Sequence, residues 1–193
     1  MFKIQYLPNI PISEWSQMSL EDFEGEEYGN VIYGQLEINV NGQTYGFYDP
    51  DAPTPIADFF EECIDAWLGY LNDVVLLLSN HDYTALHTID DVFVWFEFQK
   101  TRDENLLVSL AYVENTNVGM VEEGENYAIL TSILTEPIDC VSKYLWREEI
   151  KLQEFVDEVQ NKTKEFIAFF EKTNPALLKS QCLKVLRSYI RSS

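Results

Sequence analysis

Asp58, Glu61, Glu62 and Asp65 fall at intervals i, i+3, i+4 and i+7, which on a helix sets four carboxylates on one face. Helical carboxylates hold metal ions in di-metal bundles, where they act with Glu-x-x-His pairs from neighbouring helices. Neither His81 nor His87 stands three residues after a glutamate, so that partner is missing. The plainer reading is the wet face of an amphipathic helix. Like charges at this spacing repel by roughly a few tenths of a kcal/mol per pair, and a basic partner would relieve that repulsion.

The two histidines lie in "NHDYTALHTIDD" with Asp82, Asp90 and Asp91 near them. Their spacing fits no metal motif and HExxH is absent, so they read as loop residues. "DPDAP", Asp49 to Pro53, lacks the further ligands, central glycine and closing glutamate of a calcium loop and reads as a turn. No G-x-S-x-G, Walker A or G-x-G-x-x-G sequence occurs. The readings imply no metal and no cofactor. A hydrolase using two scattered carboxylates stays open, because such a pair needs only the right separation.

The densest charge is in "LEDFEGEEYGN", where Glu21, Asp22, Glu24, Glu26 and Glu27 stand within eleven residues without a cation. Two readings apply: a solvated loop, or a docking surface for something basic. The whole chain has 193 residues and a formal net charge of −20. Residues 1–141 hold three basic groups, Lys3, Lys100 and Arg102, against 26 acidic ones, a balance of −23. Residues 142–193 hold ten basic and seven acidic groups, a balance of +3. Such a body repels nucleic acid and anionic lipid, so neither is expected as a partner. It attracts basic proteins and speeds their encounter at low salt, although high charge also serves plain solubility.

Cys63, Cys140 and Cys182 form no CxxC pair, and Cys63 and Cys182 sit among apolar residues, which suits a reducing cytoplasm. The first residues lack the apolar run of a signal peptide, and "VVLLL", Val74 to Leu78, is far too short to span a bilayer. A cytoplasmic protein is therefore expected. Hydrophobic residues make up 46% of the chain, enough for a core and too many for disorder.

The elements that must position these groups follow from pattern. "MFKIQYL" reads as a strand ended by Pro8, and residues 16–30 as loop. Asn41-Gly42 suits a two-residue type I′ turn, which pairs Val40 with Gln43, Ile38 with Tyr45 and Leu36 with Phe47 and puts the apolar residues on one face. Thr54 and Pro55 open a helix whose apolar spacing runs from Ile56 to Leu78, the last few residues fitting a strand equally well. Asp91–Gln99, aromatic on both faces, and Asn105–Val113 form a second hairpin, with residues 100–104 as its turn. Residues 115–126 read as loop and about 127–134 as a further strand. Residues 138–150 fit strand or helix. From Lys151 the helical spacing is firm, and Asn174-Pro175 caps a last helix that carries Lys179, Lys184, Arg187 and Arg191. Its cations suit a helix C-terminus and a neighbouring acidic surface.

This order, an Asn41-Gly42 hairpin, an Ile56–Leu78 helix, an aromatic Asp91–Val113 hairpin and a closing Lys151–Lys172 helix, resembles small acidic bacterial immunity proteins of polymorphic toxin systems. The resemblance implies a cytosolic, non-catalytic protein that binds a toxin and blocks its active site. It does not explain the basic last helix.

The expected fold is α+β in a single domain, residues 1–193. A mostly antiparallel sheet of five to six strands carries helices on one face, and residues 173–193 form a basic helical extension. The expected function is an immunity-type binding protein that neutralises a basic protein partner such as a toxin nuclease domain. The alternatives are a small cytosolic hydrolase with a carboxylate pair, or a structural or assembly subunit. The candidate contact residues are Glu21, Asp22, Glu24, Glu26, Glu27, Asp58, Glu61, Glu62 and Asp65.

Overall fold

A computed structural model describes residues 1–52, 61–89, 91–114, 118, 120–122, 128–130 and 132–191. The fold is α+β, and its main strands divide between two antiparallel sheets that share one core. The first sheet holds β1 (Phe2–Pro8), β2 (Tyr33–Val40) and β3 (Gln43–Phe47) in that order, with the two-residue β4 (Glu62–Cys63) also pairing with β2. The Asn41-Gly42 turn has positive φ at both residues, 51° and 93°, and the register is the one the turn demands: Val40 with Gln43, Ile38 with Tyr45, Leu36 with Phe47. Leu36, Ile38 and Val40 are all fully buried. Gly46 takes φ +80°, and a side chain there would meet the Leu36 carbonyl at 2.1 Å, so only glycine fits.

The second sheet runs β10-β5-β6-β7-β11, from β5 (Tyr83–His87), β6 (Val94–Lys100), β7 (Asn105–Val113), β10 (Ile133–Leu134) and β11 (Val141–Lys151). Residues 138–150, open between strand and helix in sequence, supply the edge strand β11. Lys143 and two register shifts near it blunt that edge against further pairing. Aromatics occupy both faces of β6 because both faces are covered. Phe96 and Phe98 enter the main core, while Trp95 joins Ala85, Val113 and Ile138 in a smaller cluster on the other side. The segment between β7 and β11 is not simply loop and strand: β8 (Met120–Glu122) pairs with β9 (Ala128–Leu130), and β10 turns away to pair with β5.

Three longer helices close the core: α3 (Ile64–Leu78), α4 (Leu152–Thr173) and α5 (Gln181–Arg191). α4 buries Phe155, Val159, Phe166, Ile167 and Phe170 at helical intervals. It also seals the outer edge of β1. Glu154 Oε1 accepts the Phe2 amide at 2.9 Å, and Glu158 Oε1 accepts the Ile4 amide at 2.8 Å. The match is geometric: two strand residues advance about 6.8 Å and four helical residues about 6 Å. Between α3 and α4, the buried Asn72 amide donates to Thr163 Oγ1 and to the Leu68 carbonyl, both at 2.7 Å, which fixes the register of the two helices. In mid-α3 stands Gly69, where glycine costs about 1 kcal/mol relative to alanine and a Cβ would meet nothing within 4 Å.

Residues 16–30 are more structured than a loop. Two short helices, α1 (Ile12–Trp15) and α2 (Leu20–Glu24), pin the segment to the body. Trp15 and Phe23 are fully buried, with Trp15 edge-on to Phe170 of α4 at 5.2 Å. Asn174, the C-cap of α4, donates to the Trp15 carbonyl at 2.9 Å and the Met18 carbonyl at 2.8 Å.

Candidate functional site

The acidic segment starts with a capped helix. Ser19 Oγ accepts the Asp22 amide at 3.0 Å and donates to Asp22 Oδ2 at 2.6 Å, and Glu21 and Asp22 occupy the first turn, where the helix dipole favours negative charge. Phe23 points inward, so Glu21, Asp22 and Glu24 are left on the surface, and Glu26 and Glu27 follow them there. The chain then folds back on α1. Asp22 and Glu27 meet Glu14 around a cleft of about 240 Å³, walled by Tyr28 and lined also by Gln17 and Met18. Tyr28 donates to Glu14 Oε1 at 2.8 Å. That hydrogen bond, with burial and the charges of Glu14, Glu27 and Asp22 added, pushes the phenol up to about 12, so it stays a donor at neutral pH. Glu21, Glu24 and Glu26 share the segment but do not line the cleft. Glu14 is the member that sequence reasoning missed.

The second group of candidates does not form a helical face. Asp58 lies outside the described residues. Glu62 and Cys63 are extended, pair with Gly34 and Tyr33 of β2, and delay the helix until Ile64. Glu62 is 8% exposed and accepts the Trp67 indole N–H at 2.7 Å. Glu61 accepts a hydrogen bond from the Asn9 amide. Asp65 is half-buried and accepts the Ile32 amide at 2.7 Å. These three carboxylates are spent on fixing the start of α3, to Asn9 after β1, to Trp67 of α3 itself and to Ile32 just before β2, in a stretch that local periodicity reads as helix.

Burial raises the Asp65 carboxyl above its ordinary value, and the Ile32 amide offsets only part of that rise. A carboxyl raised in the folded state stabilises the fold below its unfolded value, and that contribution is lost as pH climbs through the folded value. Asp65→Asn keeps an acceptor for Ile32 without the charge. Its stability relative to the native protein, from urea melts, is expected to increase from pH 4 to pH 7; a flat difference would contradict the burial of this charge.

His81 precedes β5 and is exposed, whereas His87 is not a loop residue at all. It ends β5, 6% exposed, with its ring 4.7 Å from that of Trp95, and Nε2 has no hydrogen-bond partner among the described residues. Among the described residues no group of three or more His, Cys, Asp or Glu side chains could hold a metal ion. Asp49–Ala52 form the expected turn, with Asp49 Oδ1 accepting the Asp51 amide at 3.0 Å and the Asp49 carbonyl accepting the Ala52 amide at 3.1 Å; Pro53 lies outside the described residues. The cysteines are free. Cys140 is exposed, and burial pushes the half-buried Cys182 thiol up to about 12, which keeps it unreactive.

A second cleft, of about 210 Å³, lies between α3 and α5 and includes both Asp65 and Asp73. Eight residues set them about 12 Å apart along the helix axis, wider than the roughly 5–9.5 Å of glycosidase carboxylate pairs. No described helix is long and apolar enough to cross a membrane. No protein-family model, curated protein or solved structure matches the chain.

Proposed function

We propose that the protein is a non-catalytic acidic binding protein of the cytoplasm, of the immunity type, which neutralises a basic protein partner such as a toxin nuclease domain. The observation that carries this reading is the cleft of Glu14, Asp22 and Glu27, set on a segment that Trp15, Phe23 and Asn174 hold to the body. Among the described residues the ion pairs are the Met1 amine with Glu154, Lys100 with Asp82 and Lys162 with Glu165. None of them engages residues 14–27, and Lys179, Lys184 and Arg187 make no ion pair there, although the turn Leu177–Lys179 packs against α2. Unpaired charge on an anchored surface steers an oppositely charged partner without losing much of the gain to ordering. Ile12, 66% exposed, and Tyr33, 46% exposed, offer apolar contact area to go with that charge.

The test uses the basic protein retained by the immobilised chain at low salt. Its association rate is expected to fall about tenfold or more between 50 and 500 mM salt, with a much smaller change in dissociation. Glu14→Gln, Asp22→Asn and Glu27→Gln together should produce a similar fall at low salt. An association rate flat with ionic strength, or untouched by the triple substitution, would end the proposal.

A further inference from the structure

The cleft between α3 and α5 has a feature that packing does not account for. Ala66, Gly69 and Asp73 share one face of α3, and Val185 and Tyr189 of α5 face them. Gly69 meets no close backbone that would require glycine, and a side chain there would project into open cleft space. Between Asp65 and Asp73 the lining is mostly apolar, from Ala66, Gly69, Val185 and Leu186, with Tyr70 and Tyr189 beside them. At one end Asp73 Oδ1 accepts the Tyr189 hydroxyl at 2.7 Å, which positions the carboxylate and leaves its other oxygen to a ligand. Asp73 has no ion pair among the described residues. Asp65, toward the other end, gives one oxygen to the Ile32 amide, and burial disfavours its charged form.

A slot with an apolar wall and a single positioned carboxylate fits a flexible methylene chain that ends in a cation. We propose that this cleft receives an extended lysine side chain of the basic partner, its methylenes against Gly69 and Val185 and its ammonium on Asp73. The proposal rests on the reading of the protein as a binder of basic partners, and adds to the acidic cleft a second, shape-selective contact. Lysine suits it better than arginine, because an ammonium is a compact point charge on an unbranched stem, while a guanidinium calls for a planar, two-toothed acceptor.

The probe is n-pentylammonium, titrated into the full chain and followed by backbone amide NMR, with 1-pentanol as the neutral control of like size. The ammonium is expected to shift the Ala66, Gly69 and Val185 amides, and pentanol to do so at least fivefold more weakly. Asp73→Asn keeps an acceptor for Tyr189 and should weaken the ammonium at least fivefold. Gly69→Met fills the slot from an open helical position, so the chain should stay folded, with an unreduced melting temperature, and the shifts should vanish. Equal response to both probes, no response, or full binding by folded Gly69→Met would each overturn the proposal. Salt-sensitive association with a basic protein that Gly69→Met leaves unchanged would remove the cleft from the interface while the broader reading stood. Binding of pentylammonium without any salt-sensitive protein partner would do the reverse.

Discussion

Trp67→Phe will destabilise the protein by about 3 kcal/mol, far more than the loss of ring size alone. Trp67 is fully buried and lies 5.4 Å from Tyr45 and 6.0 Å from Phe96, contacts that phenylalanine can largely keep. What it cannot keep is the indole N–H, which donates at 2.7 Å to Glu62, itself 8% exposed. A hydrogen bond to a charged group contributes roughly 1.5–3 kcal/mol, and removing the donor from a buried carboxylate adds part of its desolvation penalty. The reciprocal change should be mild. Glu62→Gln retains an oxygen for the indole and removes the buried charge, so a loss within about 1 kcal/mol is expected. In the double variant the two effects should fail to add by more than about 1 kcal/mol, because the second substitution removes the charge that the first deprived of the indole N–H. Equilibrium urea unfolding of the four proteins decides this. Additive losses, or a larger loss for Glu62→Gln than for Trp67→Phe, would show that the bond does not hold β4 to α3 in the way its geometry implies.

The same residues show what a linear sequence can and cannot carry. The Asn41-Gly42 hairpin was legible in full, since turn chemistry and alternation are local and agree with each other. The long α4 was legible for the same reason, its apolar stripe recurring from Leu152 to Phe170 with only Thr163 set between Val159 and Phe166. Glu61, Glu62 and Asp65 misled because their helical spacing is real as a pattern, yet the backbone amide of Ile64 bonds the Ile32 carbonyl and Glu62–Cys63 pair with β2, thirty residues earlier in the chain. Tertiary pairing overrode the local period. β5 was hidden by the polar residues around it. "YTALH" carries strand-forming residues, but His81-Asp82 before it and Asp91 after it made the stretch look like loop, and the burial of Thr84, Leu86 and His87 is supplied by neighbours no local pattern names.

The acidic cleft was half legible. Five carboxylates between Leu20 and Asn30 marked the surface, but their density hid Trp15 and Phe23, the two rings that anchor it. Glu14 joins Asp22 and Glu27 only because the chain reverses after α2, with the Asn30 amide bonding back to the Phe23 carbonyl at 2.9 Å. A charge count along the chain registers none of this. The same limit applies to α5. Its basic residues looked like an anomaly in an acidic chain, whereas its place against α3 and α4 comes from Leu183, Leu186 and the Tyr189–Asp73 bond, with Lys184 left exposed.

If the acidic surface works because it is held in place, then loosening its anchor should impair binding without altering any of its charges. Asn174→Ala is the substitution that separates these. Asn174 is 8% exposed and its amide serves two carbonyls of the acidic segment, Trp15 and Met18, more than 150 residues away in sequence. Alanine would strand both carbonyls in a buried corner and also remove the acceptor of the Ala176 amide. Each unmet group costs roughly 1–3 kcal/mol, less what water recovers on entering, so a total loss of about 2–3 kcal/mol is expected in urea unfolding. Hydrogen exchange should show where the loss falls: amides of residues 15–30 exchange faster, while those of β6 and β7 keep the protection set by global unfolding. Partner dissociation should then speed up, since the segment must be ordered again in the complex, while the salt dependence of association, which depends on unchanged charges, stays as steep as in the native protein. A variant with uniformly weakened protection, or one whose acidic segment exchanges faster with no change in dissociation, would show that Asn174 stabilises the fold but does not present the acidic surface to a partner.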